Sequence, residues 1–448
     1  MAVGTMTGAT LLRGGHVIDP SLGLDAIADI RLRNGRVAAI GALQPETGES
    51  VLDLDGLVVT PGWVDVHVHL REPGQEWKET IGTGTQAAAA GGFTTVFCMP
   101  NTQPALDSVA ALEELQRRIA RDATVRVHPI ATISEGRRGR RPADYEALAR
   151  AGAVGFSDDG ESTADSGIMA EALSASVRLG VPVMVHCEDP NLIGGAMHEG
   201  EVSARLGVKG IAAAAEEIFI DRDLAIAAAT GGWLHACHVS TGKGIAAIAG
   251  ARRAGVNVTA EVMPHHLVMS DEWVGGRRTL ELVPDIERPD AVPADPDTKV
   301  NPPLRPPSDA AALLAALRQG EFEIISTDHA PHAAIEKQGK TLQAAAFGLS
   351  ASEFALPSLM ALVHAGHLTL AEVVAAISTR PACLWKLPGG TLRPGSVADV
   401  TVFDPHERWT PRRDTLLSRS TNSPLVNQDL QGKTKVTFVQ GEIRHRDW

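Results

Sequence analysis

The chain has 448 residues, 44% of them hydrophobic and 21% charged, which is ordinary for a folded protein and too apolar for disorder. That length exceeds one large α/β barrel, so two or three folding units are expected. The 41 Lys and Arg against 54 Asp and Glu leave a net charge of −13, which argues against a whole-surface partner such as nucleic acid or an anionic membrane.

Residues 8–59 read as short strands between turns (HVIDPSLG, RNGRVAAIG, DLDGLVVTPG). From Pro61 the pattern changes to short β-branched runs alternating with longer Ala/Leu-rich runs. Strands are predicted at 62–68, 93–99, 124–130, 152–158, 181–187, 233–239, 256–262 and 322–328, with helices at 107–121, 165–179, 211–229 and 243–254. Eight near-continuously apolar strands alternating with helices indicate a buried parallel sheet, most economically a closed (β/α)8 TIM-type barrel. A doubly wound open sheet would not explain why polar residues collect at so many strand ends. Residues 275–298 are rich in Pro and Asp without periodicity and are expected to form a long loop. Residues 391–448 return to the strand-and-turn style of the N-terminus. One small β-sandwich built from both chain ends is therefore expected, with boundaries at 1–60, 61–387 and 388–448.

Some features carry little. The run Gly136–Arg141 (GRRGRR) reads as a solvated loop, because no aromatic platform accompanies it. Cys98, Cys187, Cys237 and Cys383 are far apart and form no CxxC pair, which fits a reduced, cytoplasmic chain. No export signal is evident, and no run of about 18 apolar residues suggests a membrane span.

The strand ends carry the chemistry. His67 and His69 alternate on the first strand and so share a face. The fourth strand ends in Asp158-Asp159, the fifth in His186, the sixth in His238 and the eighth in Asp328. All lie at C-terminal strand ends, where barrel enzymes build their active sites. A lone His there is usually a hydrogen-bonded core residue, and a lone Asp usually caps the next helix. Five strands doing this on one face point instead to a nitrogen/oxygen metal site, zinc first. Six donors exceed the needs of one tetrahedral ion, so two ions sharing a carboxylate are expected. Strand parity turns His235, Cys187 and Cys237 away from this mouth. His128 has no matching partner, and His265-His266 are expected to support ligands.

The run PGWVDVHVHLREPGQEWKET (61–80) resembles the signature of the amidohydrolase superfamily, specifically the class I dihydroorotases with their DxHxHLREPG motif. The likeness continues through GGFTTVFCMPNT (91–102), GFSDDG (155–160), HCED (186–189), HVST (238–241), EVMPHHL (261–267), NPPLR (301–305) and STDHAPH (326–332). It implies a (β/α)8 barrel with a small β-sandwich, as the pattern does. By resemblance, His67, His69 and Asp328 bind a first zinc, His186 and His238 bind a second, and Asp159 bridges them. The resemblance also assigns substrate contacts to Arg71, Asn101, Asn301, His332 and the backbone at Phe347-Gly348, although Ala346 stands where the family has Pro. The reaction it implies is reversible cyclisation of N-carbamoyl-L-aspartate to L-dihydroorotate in pyrimidine biosynthesis, with Asp328 shuttling the proton.

Two alternatives remain at this level. Hydantoinases, allantoinases and class II dihydroorotases bridge their metals with a carboxylated lysine on the fourth strand. This chain has none there: only nine of its basic residues are Lys, and none lies between Lys78 and Lys209. Some dihydroorotase-like chains are silent scaffolds of aspartate transcarbamoylase, but these are expected to have lost ligands, and all six are present here. A homodimer and a complex with aspartate transcarbamoylase are both compatible with the resemblance.

Overall fold

The computed structural model describes residues 8–276 and 294–448. Parallel strands Trp63–Val68, Phe93–Cys98 and Arg126–Pro129 form one run of ladder. Val183–Val185, Leu234–Ala236, Val258–Val262 and Ile324–Ile325 form another. Phe156 joins the two by bridging Ala131 on one side and Val183 on the other. The ring closes where Val68 bridges His329, with His69 N donating to His329 O at 2.8 Å. This is a closed (β/α)8 barrel.

The fourth strand departs from expectation. Of 152–158 only the stretch around Phe156 pairs, because Gly152 sits at φ 101° and no ladder runs through that conformation. Several other strands are trimmed to two or three residues, and the chain beyond them turns to present side chains at the mouth.

The principal helices fall within a few residues of their predicted bounds, at Val109–Asp122, Ser166–Leu179, Ala214–Thr230 and Gly242–Arg253. Three of these starts are set by short polar side chains: Ser108 accepts from Ala111 N, Asp165 from Ile168 N and Thr241 from Gly244 N. Val64, Phe97, Ile130, Met184, Cys237 and Ile324 belong to one buried cluster. Residues from six strands of a closed ring can meet only inside it, so this cluster is the barrel lumen. Cys237 therefore points inward beneath the site, not away as parity predicted.

Both chain ends supply one eight-stranded sheet, as expected. Its path runs Glu442–Arg446, Leu430–Val439, Val400–Trp409, Val58–Pro61, Thr10–Asp19, Leu24–Arg33 and Arg36–Gly41, with Ser50–Asp53 beside Thr10–Asp19. The seam between the two ends is the antiparallel pairing of Val58–Pro61 with Val400–Phe403. Leu12, Val17, Ile30, Val59, Val400 and Phe438 lie in the core behind it. Of the predicted loop 275–298, residues 277–293 lie outside the described residues, and Pro296–Thr298 forms a short 3-10 turn.

Candidate metal centre and active site

The barrel mouth gathers the predicted donors. His69 Nε2 lies 3.0 Å from Asp328 Oδ1 and 3.4 Å from Asp159 Oδ2. His67 Nε2 is buried with no hydrogen-bond partner among the described residues, 3.5 Å from Asp159 Oδ2 and 3.6 Å from Asp328 Oδ1. His238 Nε2 and His186 Nδ1 lie 3.3 and 3.6 Å from the other Asp159 oxygen, and only 3.0 Å from each other. Among the described residues three sets have ligand atoms mutually within 4.8 Å: His67, His69, Asp328; His67, Asp159, His238; and, deeper in the barrel, His67, Cys237, Glu261. Asp159 thus faces imidazoles from three strands.

Its neighbour Asp158 is spoken for elsewhere. That carboxylate accepts from Ile133 N and Ser134 N at 3.0 Å each, from Ser134 Oγ at 2.5 Å and from Thr163 Oγ1 at 3.1 Å. Burial pushes the Asp159 carboxyl up, but the surrounding imidazoles outweigh it and hold it well below the ordinary carboxylate range. Asp328 is lowered in the same way, with His69 foremost against burial.

The backbone is bent to make this arrangement. His238 has φ 37°, Asp328 φ 47° and Arg71 φ 59°, all left-handed conformations costing about 1 kcal/mol or more apiece. The inversion at His238 also explains a failed expectation. His235 does not face away from the centre: its Nε2 is 3.5 Å from Glu261 Oε2, and Glu261 Oε1 is 2.7 Å from His67 Nδ1. Alternation along the strand does not survive a left-handed residue.

Glu261 went unassigned in the sequence, although it stands in the EVMPHHL run. Its carboxylate orients His67 and accepts from His238 N at 3.3 Å, tying the first strand to the sixth. Asp65 plays a similar part, accepting from Thr327 N at 3.0 Å and Thr327 Oγ1 at 2.5 Å to pin the eighth strand. His266 Nε2 lies 3.0 Å from Pro302 O beside Asn301, a supporting place; among the described residues both ring nitrogens of His265 are buried without hydrogen-bond partners. His128 packs edge-on against Phe97.

A cavity of about 290 Å³ opens over the donors. His69, Asp159, His186, His238 and Asp328 line it, as do Arg71, Asn101, Asn301, His332, Phe347 and Gly348. His67, fully buried, stands behind them. Arg71 donates through Nε to Pro331 O at 3.1 Å, and burial lowers its guanidinium pKa to about 10. Burial, aided by Arg71, pushes His332 down to about 4, so its imidazole is neutral at neutral pH. Its Nε2 lies 2.7 Å from Phe347 O. Gly348 sits at φ 125°, where a Cβ would come within 2.7 Å of Ala330 Cβ and O. Asn422 joins these pieces, accepting from His332 N at 2.9 Å and donating to Gly348 O at 3.0 Å. Nothing in the sequence flagged Asn422, because it comes from a turn over 300 residues beyond the first motif.

Arg137 is a further omission. It was grouped with a solvated basic run, yet it lines the cavity and donates to Asp159 O at 2.7 Å. Arg138, Arg140 and Arg141 do stay exposed.

Fold and site together define a barrel hydrolase of the amidohydrolase class, with a donor set suited to divalent metal. A family model described as Dihydro-orotase-like matches residues 56–244. The dihydroorotase of Syntrophus aciditrophicus is 41% identical over 440 residues, covering 98% of this chain and 99% of the relative. That of Aquifex aeolicus is 39% identical over 439 residues, covering 98% and 99%. The chain belongs to the dihydroorotase family. Among solved structures, L-hydantoinase from Arthrobacter aurescens superposes with a TM-score of 0.84 at 24% identity, covering 98% of this chain and 96% of its own. A dihydropyrimidinase from Brevibacillus agri gives 0.82 at 23%, covering 98% and 95%. These two likenesses speak for the fold alone. Among the described residues no helix is long and apolar enough to cross a membrane.

Proposed function

We propose that the chain catalyses the reversible cyclisation of N-carbamoyl-L-aspartate to L-dihydroorotate, a step of pyrimidine biosynthesis. The observation that carries this reading is the convergence of four imidazoles and two carboxylates on one cavity whose wall also carries Arg71, in a chain of this family with no lysine from 79 to 208. The donors fit a metal pair: His67 Nε2 is a buried nitrogen with no hydrogen-bond partner among the described residues, and His186 and His238 set two ring nitrogens 3.0 Å apart. Nitrogen and carboxylate donors suit zinc, and six of them suit two ions. In this reading His67, His69 and Asp328 would hold one ion and His186 and His238 the other, with Asp159 placed to serve both. When bound, zinc lowers the pKa of water and polarises the ring carbonyl.

The remaining steps belong to the chain. In hydrolysis Asp328 takes a proton from the attacking water and passes it to the ring nitrogen as the C–N bond breaks. Cyclisation reverses this, joining the carbamoyl nitrogen to the side-chain carboxyl carbon and releasing water. Arg71 grips the retained carboxylate through two parallel hydrogen bonds, with Asn101 and His332 beside it. Asn301 and the Phe347-Gly348 backbone complete the pocket.

The scaffold alternative is disfavoured by the full ligand set, and the lysine-bridged hydrolases by the missing lysine. The reading extends to a barrel over 61–387 with 1–60 and 388–448 forming the sandwich, to a reducing cytoplasm for the four free cysteines, and to assembly as a homodimer or with aspartate transcarbamoylase. The test is a rate assay of the zinc-loaded chain in both directions. Cyclisation consumes a proton, so net ring closure is expected at mildly acidic pH and hydrolysis at alkaline pH. A metal-replete chain that does neither, yet binds aspartate transcarbamoylase, would overturn the enzymatic reading.

A further inference from the structure

Among the described residues two guanidiniums, Arg71 and Arg137, line the cavity, and the substrate contacts discussed so far employ one. Arg137 lies on the segment after Ser134, is partly buried, and donates through Nη2 to Asp159 O at 2.7 Å and through Nε to Asp158 O at 3.3 Å. Both partners are backbone carbonyls, and among the described residues Arg137 forms no ion pair. Its neighbour Arg141, by contrast, pairs with Glu135 in solvent.

The segment is shaped to deliver this side chain. Arg137 itself has φ 58°, between Gly136 at 61° and Gly139 at 60°. An arginine is rarely left-handed, and the conformation persists only where surroundings impose it. The Asp158 carboxylate imposes it by accepting from Ile133 N and from Ser134 N and Oγ, while Ser134 Oγ accepts from Gly139 N at 2.8 Å. The two adjacent aspartates thus divide their work: Asp159 faces the imidazoles, and Asp158 anchors the segment that places Arg137 over them.

We propose that Arg137 is a specificity residue that binds the open substrate through the carboxylate that ring closure consumes. This rests on the dihydroorotase reading. N-carbamoyl-L-aspartate carries two carboxylates and dihydroorotate one: closure takes up a proton, forms the C–N bond and releases water, turning a dianion into a monoanion. Arg71 serves the carboxylate common to both forms. Arg137, as a second unpaired cation in the same cavity, serves the charge that only the open form bears. A charge-assisted hydrogen bond of this kind is worth about tenfold or more in binding.

The test compares Arg137→Met with wild type in both directions, with zinc per chain and thermal midpoint measured on the same preparations. Because the overall equilibrium is fixed, loss of a contact made in the open complex and the transition state takes a definite form. KM for carbamoyl aspartate should rise about tenfold with kcat unchanged, while kcat for dihydroorotate should fall about tenfold with KM unchanged. Arg137→Lys, which keeps the charge without the fork, should fall between. Equal rises in both KM values, or a loss of zinc that accounts for the rate change, would overturn the proposal and leave Arg137 as a brace for the Asp158-Asp159 turn. If wild type turns over neither compound, the dihydroorotase reading itself fails; an active wild type with a symmetrical variant defeats only Arg137.

Discussion

Asp158 and Asp159 show how far neighbours can diverge when one peptide unit turns between them. Asp158 spends its oxygens on backbone and hydroxyl donors, and Asp159 turns both of its own toward imidazoles. Asp159→Ala is therefore expected to lose zinc, whereas Asp158→Ala should retain it; metal analysis showing the reverse would exchange their roles. In the proposed mechanism Asp328 serves as both ligand and proton carrier, so Asp328→Ala should cut turnover by about 10³-fold while much of the zinc remains, checked by rate and metal content together. Among the described residues Arg71 makes no ion pair; its Nε donates to Pro331 O and its Nη2 lies 3.3 Å from His332 Nε2. Arg71→Ala should raise KM by about 10- to 100-fold, the value of a charge-assisted pair, and an unchanged KM would remove it from carboxylate binding.

At the scale of elements, the segment carrying Phe347 and Gly348 is held by an unusual strut. The short helix Ala334–Lys337 buries Lys337 completely, and its Nζ donates to Pro296 O at 2.9 Å and Lys299 O at 3.0 Å. Burial pushes this ammonium from 10.5 down to about 7. Between those values the unfolded chain holds a proton that the folded chain lacks, so raising pH across the window favours folding. Below pH 7 both states are charged and the full cost of burying the charge is felt. Compared with Lys337→Met in urea unfolding, wild type should gain ground steadily from pH 7 to pH 10. A gap independent of pH would show that Lys337 is not buried in this way.

Across the whole molecule, the barrel and the sheet are joined by more than the covalent chain. Arg126, on the third barrel strand, reaches across to Asp399, which is 1% exposed and also accepts from Gln440 N at 2.9 Å. Removing one partner of such a buried pair leaves the other charge stranded. Asp399→Ala should lower stability by about 3 kcal/mol in chemical unfolding, and a change below about 1 kcal/mol would show the contact to be incidental. The site lies at the far end of the same strands, so this loss should leave KM untouched at temperatures where the variant is folded.

Much of this was legible because parallel barrels write themselves plainly. Buried strands are continuous apolar runs, helices repeat at 3.6 residues, and the mouth collects His and Asp at strand ends. His67, His69, His186, His238 and Asp328 could be named from position alone, and family likeness selected Asp159. What escaped was whatever depended on backbone inversion or on distant chain. Parity misdirected His235 and Cys237 because His238 lies at φ 37°. Arg137 looked like one of several solvated arginines, since only the Asp158 anchor brings it inward. Asn422 and Glu261 hold site residues from turns and strands far away in sequence. Patterning and residue chemistry are local properties, so the sequence by itself determined the barrel, the candidate donors at its strand ends and the absence of a bridging lysine. Which carboxylate faces the imidazoles, which arginine enters the cavity and what braces each are long-range hydrogen-bond choices, and only the closed ring decided them.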